Sequence, residues 1–223
     1  MGSCPVFALS FTGGGIKWDQ RLCQECDNCI KTCGHSSSPR IQLMTAADVI
    51  TEISAYFPFI AGITLSGGEC TLWPEFMTEL FEEIKRNTKT TFADSNGFID
   101  FSAMPELLQV MDMAMIDLKA ADSGEHKMLT GRDNAPLVDN ISYLASVGKL
   151  FEIRTVIVPD LLDNHRTVEL GSRLIAGYPV RYKLIRYRPL GVRTEIYDMP
   201  SEDLMNRLAG LASRKGVKDI IIV

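Results

Sequence analysis

The sequence predicts an α/β fold on a parallel sheet buried on both faces, an open or closed α/β barrel, preceded by a small cysteine-rich segment. Three observations carry this. From about residue 41, short runs rich in β-branched and apolar residues alternate with helical stretches. Polar side chains recur where those runs give way to loops, the end of a parallel sheet at which ligands bind. Five of the six cysteines lie within the first 33 residues. The 223-residue length suits one large domain, or one domain with a small appendage.

In order along the chain, residues 1–40 form the cysteine-rich segment and residues 41–223 the βα body. The runs 8–11 and 15–18, on either side of Thr12-Gly13-Gly14, predict a short hairpin. Those glycines could suggest a phosphate loop, but no helix follows them. His35-Ser36-Ser37-Ser38-Pro39 reads as a polar linker. Thr45 is a helix N-cap with Asp48 in the first turn, and Val49, Ile50, Ile53 and Phe57 share one face of that helix. Strands are predicted at 63–66, 91–95, 113–119, 151–158, 181–187 and 219–223. Helices are predicted at 74–87, 101–110, 135–147, 166–176 and 201–214, the last opened by Ser201-Glu202-Asp203 after Pro200.

Composition excludes several function classes. Hydrophobic residues at 46% and charged residues at 23% are ordinary for a globular chain. A net charge of −5 offers no basic excess for nucleic acid. No apolar run reaches membrane-spanning length and no signal peptide opens the chain, so the sequence reads as cytoplasmic. Clustered cysteines in a reducing compartment point to metal or iron–sulfur ligation rather than to disulfides.

Cys23, Cys26, Cys29 and Cys33 have the spacing C-x2-C-x2-C-x3-C, the bacterial ferredoxin run for [4Fe–4S] clusters. In a two-cluster module the fourth cysteine serves the other cluster. Cys4-Pro5 looks like the end of an earlier run of the same kind. By the crossed rule Cys4 completes the cluster held by Cys23, Cys26 and Cys29, and the cluster-mates of Cys33 would precede residue 1. Gly34 stands where such runs usually carry proline. A Cys4 zinc site and unrelated free thiols are the alternatives. Zinc knuckles usually pair two C-x2-C arms further apart, which favours iron–sulfur.

The second constellation lies at strand ends. Ile63-Thr64-Leu65-Ser66 stops at Gly67-Gly68-Glu69, baring backbone beside one acid. Asp94-Ser95-Asn96-Gly97, Asp117-Leu118-Lys119 and Arg154 follow at later strands. Alternation sends Asp117 and Lys119 to one face and Leu118 to the other. Carboxylates and a lysine over a glycine turn suit a zwitterionic ligand, or a cation shared with a ligand carboxylate. A structural ion pair at a barrel mouth is the plainer reading for any single strand; four strand ends together argue for a site.

On these residues, and on His126-Lys127-Met128-Leu129-Thr130-Gly131-Arg132-Asp133-Asn134, the sequence resembles the activating enzymes of glycyl radical enzymes. These belong to the radical S-adenosylmethionine superfamily, and the likeness is greatest to the YjjW-type subgroup with its two-cluster ferredoxin insert. The resemblance implies a partial (β/α)6 barrel that binds S-adenosylmethionine, with Gly67, Gly68 and Glu69 approaching the methionyl amine and Lys119 facing the carboxylate. It implies a monovalent-cation site resembling Asp94, Ser95, Asp117 and the Met115 carbonyl, with Arg154 on the same rim. The implied partners are a glycyl radical enzyme and an electron donor such as flavodoxin or ferredoxin. At Tyr187-Arg188-Pro189-Leu190-Gly191 the family often has histidine where this chain has Arg188, and an arginine does not titrate. Cys70 follows the acid where proline is common and is expected to be a buried bystander.

One family motif has no counterpart. The C-x3-C-x2-C that holds the S-adenosylmethionine-chelating cluster does not occur. The chain therefore resembles a family member missing its first strand and half its ferredoxin insert, by truncation or as a natural remnant. Truncation is favoured by the mid-motif positions of Cys4 and Cys33. The missing strand would leave an apolar sheet edge. The polypeptide alone is expected not to cleave S-adenosylmethionine reductively. A non-enzymatic iron–sulfur electron carrier or cluster-dependent binding module is the competing function, although a carrier does not need so large a βα body.

Overall fold

The computed structural model describes residues 2–35, 37–189 and 197–223. They fall into two compact units, Met1–Thr45 and Ala46–Val223, so residues 41–45 group with the first.

The first unit contains an antiparallel hairpin, β1 (Leu9–Thr12) and β2 (Gly15–Trp18), and one short helix, α1 (Asn28–Thr32). The hairpin closes around Thr12-Gly13-Gly14 as predicted, with Leu9 opposite Trp18 and Thr12 opposite Gly15. Its core is minimal. Among the described residues of this unit only Ala8 is buried, while Phe7, Phe11, Ile16, Leu22, Ile41 and Leu43 are exposed.

The second unit opens with helix α2 (Ala46–Ile53) and carries a six-stranded parallel sheet. Its strands are β3 (Gly62–Leu65), β4 (Thr90–Ser95), β5 (Met113–Asp117), β6 (Leu150–Ile157), β7 (Arg181–Arg186) and β8 (Asp219–Ile222), adjacent in sequence order. Helical crossovers link them: α3 (Pro74–Arg86), α4 (Pro105–Val110), α5 (Ser123–Thr130), α6 (Ala135–Ser146), α7 (Asn164–Ile175) and α8 (Glu202–Arg214). Parallel neighbours require such crossovers, and a constant hand winds the sheet in sequence order. Among the described residues β3 and β8 are its edges.

Helices cover the face that carries Ala93, Ile116, Ile153, Tyr182 and Leu184, all fully buried. The predicted apolar face of α2, Val49, Ile50 and Ile53 with Phe57 beyond it, packs on Leu80 and Ile84 of α3. Predicted and observed ends agree within one or two residues, with two exceptions. The stretch read as one helix at 101–110 is a 3-10 turn at Phe101–Ala103 followed by α4, broken where Pro105 starts a new helix. Helix α5, absent from the sequence reading, is bounded by Asp122, which accepts from the amides of Gly124 and Glu125, and by left-handed Gly131.

Candidate functional site

In the first unit Cys4, Cys23, Cys26 and Cys29 line one small cavity, together with Trp18 and Arg40. Cys33 is not among its lining residues. Backbone turns aim the sulfurs. Phe7, Glu25 and Asp27 take left-handed conformations (φ 53°, 52° and 58°), uncommon for non-glycine residues. Amide N–H groups donate to three sulfurs: Ala8 to Cys4 at 3.2 Å, Glu25 to Cys23 at 3.4 Å and His35 to Cys33 at 3.4 Å. Backbone N–H groups, that of Val6 foremost, outweigh burial and hold the Cys4 thiol below its ordinary pKa, which favours the ligating thiolate. Arg40 pairs with Asp27. Trp18 Nε1 is shielded from solvent and has no hydrogen-bond partner among the described residues. Among the described residues no three His, Cys, Asp or Glu side chains are arranged to hold a single metal ion. Cys4, Cys23, Cys26 and Cys29 share the lining of one cavity.

In the second unit the predicted strand ends form two hydrogen-bonded groups. The first is centred on Glu69. Its Oε1 accepts from the Thr71 amide (3.1 Å), the Thr71 hydroxyl (2.7 Å) and the Ser95 hydroxyl (2.7 Å), and its Oε2 from the Asn96 amide (2.8 Å). One carboxylate thus ties the turn after β3 to the end of β4. Gly67 sits at φ +139°, and a Cβ at Gly67 or Gly68 would meet nothing within 4 Å, so open surface remains above this turn. At Gly97 (φ +70°) a Cβ would lie 2.7 Å from Leu137 and 2.8 Å from Ile116, so packing as well as backbone conformation requires glycine there. Buried Asn140 holds this loop by donating to the carbonyls of Gly97 and Ile99 (2.8 Å each) and accepting from the Phe101 amide (3.0 Å).

The second group is centred on Arg154 of β6. Its fork grips Asp94 of β4, with Nη1 to Oδ2 at 3.0 Å and Nη2 to Oδ1, while Nε donates to Asp117 of β5 at 2.8 Å. Lys119 Nζ donates to the other Asp117 oxygen at 3.1 Å. Leu118 is buried on the opposite face, as alternation required. Burial would lower the Arg154 pKa, but the bonds to Asp94 and the charge of Asp117 outweigh it and raise the value, so the guanidinium stays charged.

The structure therefore brings Asp94 and Asp117 together through Arg154 and puts Ser95 with Glu69 instead. Met115 sits between Asp94 and Glu152 in register. A cavity of about 460 Å³ adjoins both groups, lined among others by Glu69, Asn96, Phe98, Lys119, His126 and Arg132. The Arg132 guanidinium lies 5.5 Å from the centre of the Phe98 ring. His126 of α5 is buried, its Nδ1 2.9 Å from the Arg132 carbonyl and 3.2 Å from the Thr130 hydroxyl. Cys70 is buried, and burial first, then the charge of Glu69, pushes its thiol up to about 11, so it is protonated near neutral pH. Its Sγ donates to the Asp94 carbonyl at 3.4 Å. Arg188 is exposed; Leu190 and Gly191 lie outside the described residues.

Sequence reasoning missed Thr71, Asn140, Trp18 and Arg40. Residues 126–134 were singled out, but no role was given to their side chains. The Asp122 and Gly131 caps were the available signal for α5.

A parallel α/β sheet with its polar groups gathered at the C-terminal ends of adjacent strands defines a class of ligand-binding α/β protein, and comparison narrows it. The Radical SAM superfamily model matches residues 22–170. The pyruvate formate-lyase 1-activating enzyme of Escherichia coli K12 is 30% identical over 195 residues, covering 78% of this chain and 78% of that one. The pyruvate formate-lyase-activating enzyme of Streptococcus mutans is 30% identical over 184 residues, covering 77% and 69%. A crystal structure of a domain of pyruvate-formate lyase-activating enzyme from Bacteroides vulgatus superposes with a TM-score of 0.62 at 20% identity, covering 74% of this chain and 99% of that one, which speaks to fold alone. The chain belongs to the radical SAM superfamily, among the glycyl-radical enzyme activating enzymes. Members of that family are oxidoreductases.

Proposed function

We propose that this chain is a glycyl-radical enzyme activase whose S-adenosylmethionine site lies at the C-terminal ends of β3 to β6. In an intact activase, S-adenosylmethionine and a reducing cluster would supply a 5′-deoxyadenosyl radical able to remove a hydrogen atom from a backbone glycine of a partner enzyme; the residues of this chain would hold the S-adenosylmethionine and not that cluster. The observation that carries the reading is the joining of four strand ends by two charged groups, Glu69–Ser95–Asn96 and Asp94–Arg154–Asp117–Lys119, beneath the open Gly67-Gly68 turn. Gly67 and Gly68 let a ligand reach bare backbone, and Glu69 accepts from its ammonium. Lys119 faces its carboxylate, and Arg154 lies on the same rim, held in place by Asp94 and Asp117. A monovalent cation beside Asp94 and Asp117 would compete with Arg154 for the same oxygens.

Cys4, Cys23, Cys26 and Cys29 fit a [4Fe–4S] cluster by donor type, spacing and their shared cavity. Such a cluster supplies one-electron transfer, with a flavodoxin or ferredoxin as its reductant. Cys33 is left to a second cluster. The residues present do not fit the S-adenosylmethionine-chelating cluster, because no C-x3-C-x2-C occurs in the sequence. We therefore propose that the reduced, reconstituted 223-residue polypeptide forms no 5′-deoxyadenosine on its own; formation of that product overturns this.

Isothermal titration with S-adenosylmethionine tests the site. The wild-type chain gives saturable heat, and Lys119→Ala and Glu69→Gln each weaken binding by about tenfold or more, the worth of a lost charge-assisted hydrogen bond. No heat from the wild-type chain leaves the electron-carrier reading, which the cysteine cavity alone favours.

A further inference from the structure

Trp18 ends β2, opposite Leu9, where the Asp19 amide donates to the Ala8 carbonyl at 2.9 Å and closes the hairpin. Trp18 is among the residues that line the cavity shared by Cys4, Cys23, Cys26 and Cys29. Its Nε1 is shielded from solvent and meets no acceptor among the described residues. An indole N–H left so carries an uncompensated desolvation cost, and native proteins rarely leave such a donor unpaired without a function for it. Arg40, which lines the same cavity, is committed to Asp27. The acceptors that the loaded cavity would offer are sulfurs. Four neutral thiols are weak acceptors, while four thiolates around inorganic sulfide are negatively charged.

We propose that the Trp18 indole N–H donates a hydrogen bond to a sulfur of the iron–sulfur cluster held by Cys4, Cys23, Cys26 and Cys29, and thereby raises its reduction potential. The inference rests on the cluster assignment made above and goes beyond it. Hydrogen bonds to sulfur and exclusion of solvent are the protein's principal means of setting such potentials. A donor at sulfur stabilises the reduced cluster more than the oxidised one, because reduction adds negative charge there. Trp18 is then a tuning residue that touches the cofactor, and removing its N–H favours the oxidised form.

The test is Trp18→Phe, which keeps an aromatic ring and deletes the donor. Wild type and variant are reconstituted anaerobically with iron and sulfide, and loading is checked by iron and sulfide content and by broad absorption near ~400 nm. A potentiometric titration followed by electron paramagnetic resonance reads the outcome. With equal loading, the reduced-to-oxidised ratio of the variant at the wild-type midpoint falls by about three- to tenfold, tenfold being ~59 mV for a one-electron couple. An unchanged midpoint at equal loading overturns the proposal and leaves the cluster assignment standing. Wild-type chain that takes up no iron and sulfide overturns both. Should Trp18→Phe fail to load, pulsed resonance on the reduced Trp73→Phe chain with ¹⁵N-indole tryptophan decides. Trp18 is then the only tryptophan, because the sequence has two. A resolved ¹⁵N coupling to the cluster supports the proposal, and its absence overturns it.

Discussion

The cysteine unit and the strand-end site solve the placement of charged ligand-binding groups in opposite ways. In the cysteine unit the sulfurs are aimed by turns in left-handed conformations and by single N–H···S bonds, with only Ala8 buried among the described residues. At the strand ends Asp94, Asp117 and Arg154 stand on adjacent strands of a close-packed sheet, and Arg154 together with Lys119 balances the two carboxylates. A unit without a core has little but its ligand to hold it. A site on a sheet is built before any ligand arrives, its charges paired in advance. Above this site the Gly67-Gly68 turn stays open, since a Cβ at either glycine would meet nothing within 4 Å.

The largest expected effect breaks this contrast most directly. Chelating iron from the reconstituted chain removes the cross-link among four cysteines, and among the described residues of the first unit only Ala8 is buried to replace it. Hydrogen exchange should then show the amides of β1 and β2 losing protection entirely, while those of β4 to β7 exchange as slowly as before. Protection in the hairpin that survives chelation would mean that its turns alone hold the cysteines, and the contrast would fail.

The next effect belongs to the sheet. Arg154→Met removes the guanidinium between Asp94 and Asp117 and leaves Asp94 without its partner, in a setting where the Arg154 side chain is only 17% exposed. Breaking a buried pair costs more than an exposed one, and partial exposure moderates the cost to about 2 kcal/mol. Urea unfolding of the second unit reads this directly. Arg154→Met with Asp94→Asn should recover about half of it, because the stranded charge is gone. A double variant no better than the single one would show that Arg154 acts by packing rather than by charge.

The sheet was legible because runs rich in β-branched and apolar residues alternate with helical stretches, and two-residue alternation puts Asp117 and Lys119 on one face, where they pair although β5 ends at Asp117. Capture of the carboxylates by Arg154 was not legible. It depends on which strands are neighbours and on the Ala114/Met115 register shift, and local sequence encodes neither. The resemblance groups Ser95 with Asp94 and Asp117; successive residues of a strand face opposite ways, and the Ser95 hydroxyl donates to Glu69. Helix α5 was hidden by weak amphipathicity; only its caps announce it. In the cysteine unit spacing named the ligands, but Trp18 and Arg40 reach the cavity through a hairpin and a linker whose paths spacing does not give.

The smallest effect measures how much of the sheet's preorganisation titrates. Asp112, just before β5, accepts from Lys85 Nζ at 2.6 Å and from the Thr91 amide at 2.9 Å. Burial would raise its pKa, but the Lys85 and Thr91 bonds outweigh it and the value is lowered. A carboxyl whose pKa is lower folded than unfolded contributes stability above its unfolded value, near 3.9, and loses it as pH falls through the lowered native value. Asp112→Asn should therefore cost the second unit about 1 kcal/mol at neutral pH, less in high salt because both partners are partly exposed. The gap between variant and wild type should stay constant down to about pH 5 and close below pH 4. A gap that persists unchanged into that acid range would mean that Asp112 stabilises the sheet by shape and hydrogen bonding alone, so that this end of the sheet holds its geometry without charge, unlike the Arg154 end.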